Sequence, residues 1–600
     1  MSTRASLKTL PMLALPALLL AAAIGLAQAA APEAGRVTAI TDAWIFDATG
    51  RAPFRGTVLI RDGRIEAVGE KLRVPKRSNI INARGKALLP GLFDLHTHWT
   101  PNSEPDATPG IATAYLAGGV TTVNDFHQAP ESYESRRQWL ATLAAPHVNF
   151  AARFSTPLGH GADWADEQTT RWVNTPEAAR RELSEVLPYR PDVIKAFTDG
   201  WRYGVNPDNT SMNQATLAAL VQAAHAANLK VLTHTVSVEP GLLAARAGVD
   251  VIAHSLQDRE LTTAEIGIIK ASGLSYVPTL AVYEPRASRS AGNSAQDLQR
   301  ERKFGIALYN VKALHDAGVA IASGTDAGMF PHAGATGHEL ELLVRAGLTP
   351  SAALIAGTVN SARSIGLAAD RGTIEPGKRA DLVLVDGRPW EDIAAIHKVT
   401  DTLVDGRVLY TGGKPVLPNT GQAPPPVVVQ ALVDDFERTD GRSSLDTLRT
   451  DEADGGGDRS VQVTTRVPRV DGGHALLVSA TLSSKPAPFA SVLIPLSRGA
   501  VVPADLSGYK GLRLELRGEG VSQSVVLRGV PGSAEWRASV PATTDWKKLE
   551  LPFGSFVAAA AEEGQPAAMW SGIDITSIGI IAAGNAGQTI WFEVDNVEFY

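Results

Sequence analysis

Two histidines stand one residue apart in GLFDLHTHW, Gly91 to Trp99, in a chain that has only 13 histidines among 600 residues. Alternate side chains of a β-strand share a face, so His96 and His98 project together while Leu95 and Thr97 point away. That is a ligand geometry, although a strand end with two solvated histidines has the same spacing. Further candidates end or follow other apolar runs: Lys195 in DVIKAF, His234 in KVLTHT, His254 in VDVIAHS and Asp326 after VAIASGT. Each has an ordinary reading when taken singly. His234 and His254 fit satisfied core histidines, Lys195 a carboxylate's partner, and Asp326 a turn cap. As a set they offer imidazole nitrogen and carboxylate oxygen, the ligands of a divalent metal. The absence of cysteine excludes disulfides, thiolate catalysis and cysteine-ligated zinc. His338 and Glu339 open HELEL, but Leu342 stands where a zincin helix needs its second histidine. No Gly-x-Ser-x-Gly elbow or phosphate loop occurs.

The elements that must position these residues are strands alternating with helical patterns. The runs LPGLFDLHTH, VTTVNDF, VNFAARFS, DVIKAF, KVLTHT, VDVIAHS, SYVPTL and VAIASGTD read as successive strands. In NQATLAALVQAAHAANL, Leu217, Leu220, Val221 and Ala224 recur at helical spacing. Such βα units over about 280 residues predict a TIM barrel, whose functional residues stand at the C-terminal ends of its strands. A doubly wound sheet is disfavoured, because no glycine-rich dinucleotide fingerprint follows the first strand. His160, after the third strand, and His332, after the eighth, lie on loops expected to face the same site and are candidate substrate contacts.

Around the barrel, residues 89–369, short alternating strands with Asp62-Gly63 and Asp405-Gly406 turn signals predict one β-domain composed of 35–88 and 370–413. The proline-rich stretch 414–426 reads as a stiff linker. Beyond it, 427–600 alternates apolar and charged residues, as in GYKGLRLELRGEG, and predicts a separate β-sandwich. The fold class is therefore α/β: a TIM (β/α)8 barrel, a composite β-sandwich domain flanking it in sequence, and a C-terminal all-β sandwich.

The N-terminus carries Arg4 and Lys8, an apolar run from Leu10 to Leu26 and small residues at Ala27 and Ala29. It reads as a secretory signal peptide, residues 1–30, and implies a periplasmic or secreted protein. No later segment is apolar enough to span a bilayer, so no membrane span is expected after signal cleavage. A formal charge of -7 with 20% charged residues gives no reason to expect a nucleic-acid partner.

The pattern LPGLFDLHTH, VIKAF, VLTHT, VIAHS and SGTDAG resembles the amidohydrolase superfamily, and GTIEPGKRADLVLVDG is similar to that family's return into its composite domain. AYLAGGVTTVND and GHELELLVRAGLTPSAAL narrow the resemblance to the imidazolonepropionase-like and Xaa-Pro dipeptidase-like branch. The resemblance implies a centre of two divalent ions, zinc in the first instance and manganese, iron or cobalt as alternatives. It places His96, His98 and Asp326 on one ion and His234 and His254 on the other, with Lys195, carboxylated, between them. Lys195 as a cation cannot bind a metal. A desolvated lysine has a depressed pKa, and its neutral amine can add carbon dioxide. Asp326 is implied as the catalytic base and acid. The expected reaction is hydrolysis of a C–N amide bond in a small molecule, a dipeptide or N-acyl amino acid. A cyclic amide or a deamination at the same site is the enzymatic alternative, and a non-catalytic binding protein acting through its C-terminal sandwich is the other. That sandwich, through VDDFE, DWKKLELPF and FEVDNVEF, resembles the galactose-binding-like jelly roll of complex I intermediate-associated proteins. A carbohydrate or cell-surface partner is its implied ligand.

Overall fold

The computed structural model describes residues 35–99, 107–162, 168–200, 209–285, 295–417, 423–454, 459–530, 534–559 and 569–600. The signal peptide expected at 1–30 and the middle of the proline-rich linker lie outside them.

Eight parallel strands follow one another round the central sheet: Leu92–Thr97, Val120–Asp125, His147–Ser155, Val193–Phe197, Val231–His234, Val251–Ala253, Ser275–Val277 and Ala320–Ile321. Each neighbour pair is parallel and in sequence order, the signature of βα repetition. The chain beyond Ile321 returns to the first strand and closes the ring. Leu95 donates its N–H to the Ser323 carbonyl at 2.9 Å, Asp326 to His96 at 2.8 Å and His98 to Ala327 at 2.7 Å. The fold is thus a TIM barrel, and closure sets Asp326 directly against the histidine pair. Its interior is filled by Phe93, Leu95, Phe126, Ala151, Val193, Leu232, Val251 and Val277. The outer faces of the strands pack on amphipathic helices, among them Gln214–Ala226, whose Asn213 side chain accepts from the Thr216 N–H.

A nine-stranded sheet is assembled from both flanks of the barrel. Lys86–Pro90 pairs antiparallel with Leu382–Asp386, so the chain leaves this sheet for the barrel and returns beside its own exit. Both Asp-Gly turns have positive φ at both residues, 49° and 79° at Asp62-Gly63 and 49° and 70° at Asp405-Gly406, as a tight two-residue hairpin requires. Lys414–Pro415 extends the sheet beyond residue 413.

The C-terminal region forms an eight-stranded and a six-stranded sheet. They enclose a core of their own, with Leu512, Leu514, Leu516, Ile578, Ile580, Phe592 and Val594 facing inward. In Gly511–Glu519 the alternation of Leu with Arg and Glu divides inward from outward residues. Among the described residues, no helix is long and apolar enough to cross a membrane.

Candidate metal centre

Strict alternation does not carry through the first strand: its register shifts between Asp94 and Thr97, and Leu95 fills the barrel interior although His96 and His98 end in the site. Asp94, His96 and His98 stand at every second position along Leu92–Thr97 and its continuation, and the two imidazoles reach the same carboxylate. His98 Nε2 lies 3.1 Å and His96 Nε2 3.4 Å from Asp326 Oδ1. One donor atom from each of these residues falls within 4.8 Å of the others. Lys195, from the fourth strand, places Nζ 3.4 Å from His96 Nε2 and 4.5 Å from the centre of the Phe126 ring. His254, just past the sixth strand, has its ring 4.3 Å from both His96 and His234. All six residues of the expected ligand set therefore meet at the C-terminal end of the barrel. His160 joins them with its ring 4.3 Å from His234. His332 sits behind the site, its Nε2 donating to the His98 carbonyl at 3.1 Å.

This cluster is built almost wholly of groups that become cations on protonation. Burial, reinforced by the charge of Lys195 and of neighbouring histidines, holds His96, His234 and His254 well below the usual imidazole range. His160 is lowered to about 3, chiefly by burial. These rings are neutral at pH 7 and present unprotonated nitrogen. Lys195, 2% exposed, is lowered to about 7 by burial, with Asp326 and Asp199 opposing the shift and Arg153 adding to it. A buried set of nitrogens around Asp326 and Asp199 is a poor hydrogen-bond network and a good cation site.

Backbone strain marks the same place. His254 has φ of 79° and Asp326 of 63°, left-handed values that non-glycine residues rarely adopt. Thr279, with φ of 45°, brings its hydroxyl 2.9 Å from His254 Nδ1 and so engages the ring from behind.

Several contributing residues escaped sequence reasoning. Asp199 lies two residues past the fourth strand and on its Lys195 face, with Oδ1 3.4 Å from His234 Nε2 and Oδ2 accepting from the Val236 N–H at 2.6 Å. Asp94 is fully buried and joins first strand to last. It accepts from Thr325 N at 3.0 Å, Thr325 Oγ1 at 2.7 Å and Thr336 Oγ1 at 3.0 Å, and burial pushes its carboxyl up to about 6. Its place two residues before His96 was the available signal. Tyr283 turns its ring edge toward His254 at 5.9 Å, with burial keeping its hydroxyl protonated. Glu339, the residue left over from HELEL, is fully buried and accepts from Leu280 N at 2.9 Å and Ala281 N at 2.8 Å, fixing the turn that begins at Thr279.

A second group of three donors, His147, Asp381 and Asp405, lies at the opposite end of the third strand. Arg371 and Arg379 reach its carboxylates at 3.4 and 2.6 Å, so its charge is already balanced by protein.

Comparison with known proteins gives the same picture. Residues 87–409 match the amidohydrolase family model, and residues 435–594 that of complex I intermediate-associated protein 30. An imidazolonepropionase of Deinococcus deserti is 27% identical over 364 residues, 56% of this chain and 87% of that protein. A candidate prolidase of Bifidobacterium longum superposes with a TM-score of 0.56 at 26% identity, over 64% of this chain and 97% of its own. A Xaa-Pro dipeptidase with methionine bound in its active site shares the fold at a TM-score of 0.56 and 24% identity, over 63% of this chain and all of its own.

Proposed function

Because this chain belongs to the amidohydrolase family, and so is a hydrolase acting on carbon–nitrogen bonds, we propose that it is an exported enzyme that cleaves an amide bond in a small molecule, a dipeptide or N-acyl amino acid. The observation that carries this reading is the meeting of six ligand-type residues, five of them nitrogen donors, in a buried cluster with Asp326 and Asp199 as its acids among the described residues. His96, His98 and Asp326 would hold one divalent ion, His234 and His254 a second, zinc suiting both by ligand type. Such ions, when bound, polarise a carbonyl oxygen and lower the pKa of a coordinated water to about 7.

The protein's own groups complete the chemistry. Lys195 is partly neutral near pH 7. Its Nζ lone pair can attack carbon dioxide, forming the N–C bond as one C=O π bond opens onto oxygen and the nitrogen gives up a proton to solvent, and the resulting carbamate would supply oxygen ligands to the ions. Asp326 Oδ1 rests against His96 and His98, and we assign the moving proton to Oδ2: taken from the attacking water, then delivered to the departing nitrogen. His160, neutral beside His234, borders the substrate side, while His332 supports His98.

The likeness to the candidate prolidase supports the dipeptide reading, and the likeness to imidazolonepropionase supports a cyclic amide as the second. A panel of Xaa-Pro dipeptides, N-acyl amino acids and five-membered cyclic amides, assayed with metal-loaded protein, separates them. Asp326→Asn is expected to lower turnover roughly 100- to 10,000-fold on the true substrate. Turnover undiminished in that variant overturns the assignment, and recovery of the native protein in the cytoplasmic fraction overturns export.

A further inference from the structure

The appended sandwich grips the flank of the barrel, on loops that follow its second and third strands and on the turn that precedes its fourth. Glu131 lies in the loop after the second barrel strand and is buried. Arg442 of the sandwich donates to its two carboxylate oxygens at 3.0 and 3.1 Å, and also to the Tyr189 hydroxyl at 2.8 Å. Gly499, with φ of 68°, presses against the neighbouring Ser132: a Cβ there would fall 2.4 Å from the Ser132 Cβ. A second contact lies beyond the third strand, where the Arg459 guanidinium stands 5.8 Å from the centre of the Trp172 ring.

Both gripped segments are tied to residues of the pocket. From Glu131 the chain leads back to His127, whose ring is 5.9 Å from His98 and whose N–H donates to Asp125. Trp172 ends a short strand, Thr170–Trp172, paired with Arg153–Ser155, and Val173 donates to the Ser155 carbonyl at 2.7 Å. Ser155 Oγ in turn donates to the carbonyl of His160, the residue beside His234. A bidentate pair between a buried carboxylate and a guanidinium fixes orientation as well as distance.

We propose that the C-terminal sandwich is a structural part of the active site: through Arg442–Glu131 and Arg459–Trp172 it braces the loops carrying His127 and His160 and so sets substrate affinity. Arg442 and Glu131 are then positioning residues. The kinetic half of this inference rests on the hydrolase reading, and the loop-bracing half does not.

The test uses the full chain with Arg442→Ala on one side of the interface and Glu131→Gln on the other, so that a folding defect in either leaves the second informative. Hydrogen exchange is followed by mass spectrometry in residues 126–132, 155–162 and, as control, 382–386. Exchange should rise about tenfold or more in both loops of both variants and stay unchanged in the control. Unchanged loops, or a rise spread through the whole chain, overturn the brace. With whichever amide the parent hydrolyses, KM should rise about five- to twentyfold while kcat stays within about twofold, and Arg442→Lys should recover part of the loss. An unaltered KM with loosened loops overturns the affinity role. A parent inert toward the whole panel refutes the proposed function, and the exchange result still decides the brace.

Discussion

The barrel and the sandwich both bury charge-bearing side chains, on opposite principles. In the sandwich three deeply placed acids each meet an arginine: Arg449 grips Asp434 through two contacts of 2.5 and 2.8 Å, Arg469 meets Asp595 at 2.5 Å, and Arg517 holds Glu593 at 2.9 and 3.1 Å. At the barrel's catalytic end Lys195, His96, His234 and His254 crowd together, and burial first, then the charge of Lys195 and neighbouring rings, pushes the three imidazoles toward neutrality. Paired burial fixes shape, whereas like-charge burial costs stability unless something anionic or a cation-for-proton exchange resolves it. The difference teaches where to look for chemistry: in the cluster that protein groups alone leave unbalanced.

That contrast can be broken most forcefully at Lys195. In Lys195→Met, metal per chain should fall from about two equivalents to one or fewer, and amide turnover by about a thousandfold or more. The metal-free variant should resist denaturant better than the metal-free parent below pH 7, because a disfavoured buried cation has been removed. Asp434→Ala should behave oppositely. Stranding Arg449 should destabilise the protein by about 3–5 kcal/mol with metal content unaltered. Metal analysis and urea titration on the two variants check both, and a metal loss in Asp434→Ala would erase the distinction.

How much of this was legible in the sequence follows from the range of each interaction. The eight strands and the ligand ends could be read because period-two alternation is local and histidine is scarce. Asp94 lies two residues before His96 and was readable in FDLHTH, yet its partners Thr325 and Thr336 stand 231 and 242 residues further along the chain. Thr279 and Glu339 could not be read. Their roles depend on a left-handed turn and on a helix some 60 residues later reaching back to it. The grip of Arg442 on Glu131 spans 311 residues, and nothing in either local pattern signals it. Local periodicity reveals which residues face inward, and only tertiary register reveals what they meet.

Glu339 sharpens the comparison from the side of the acids. Unlike Asp434 it is held by two backbone N–H groups, and burial pushes its carboxyl up to about 8 from 4.5. Below pH 4.5 it is protonated folded or unfolded and has no effect on the balance. Between 4.5 and about 8 the folded state holds the extra proton, so its contribution makes stability fall as pH rises. Glu339→Gln should remove this slope, at a loss of about 1–3 kcal/mol near pH 5 from the displaced acceptor. The difference between parent and variant stability, measured from pH 5 to 8, should therefore shrink with rising pH. A difference that grows would mean that the two backbone N–H groups outweigh burial, and would overturn the upward shift assigned to Glu339.

The smallest effect is expected from a single oxygen atom. Thr279→Val keeps the β-branched shape and the left-handed backbone and deletes the hydroxyl opposite His254 Nδ1. With Nε2 turned to a metal, Nδ1 carries the proton, and the hydroxyl oxygen is its acceptor. Losing that acceptor lets the ring rotate and lowers its basicity, which should weaken metal binding about 10- to 100-fold. The loss should fall on the ion that His234 and His254 would hold, because the Thr279 hydroxyl bonds the His254 ring. Competitive metal titration should thus show one site weakened and one unchanged. Equal weakening of both would mean that the five-imidazole cluster responds as one unit, and that its division into two ion sites has no energetic basis.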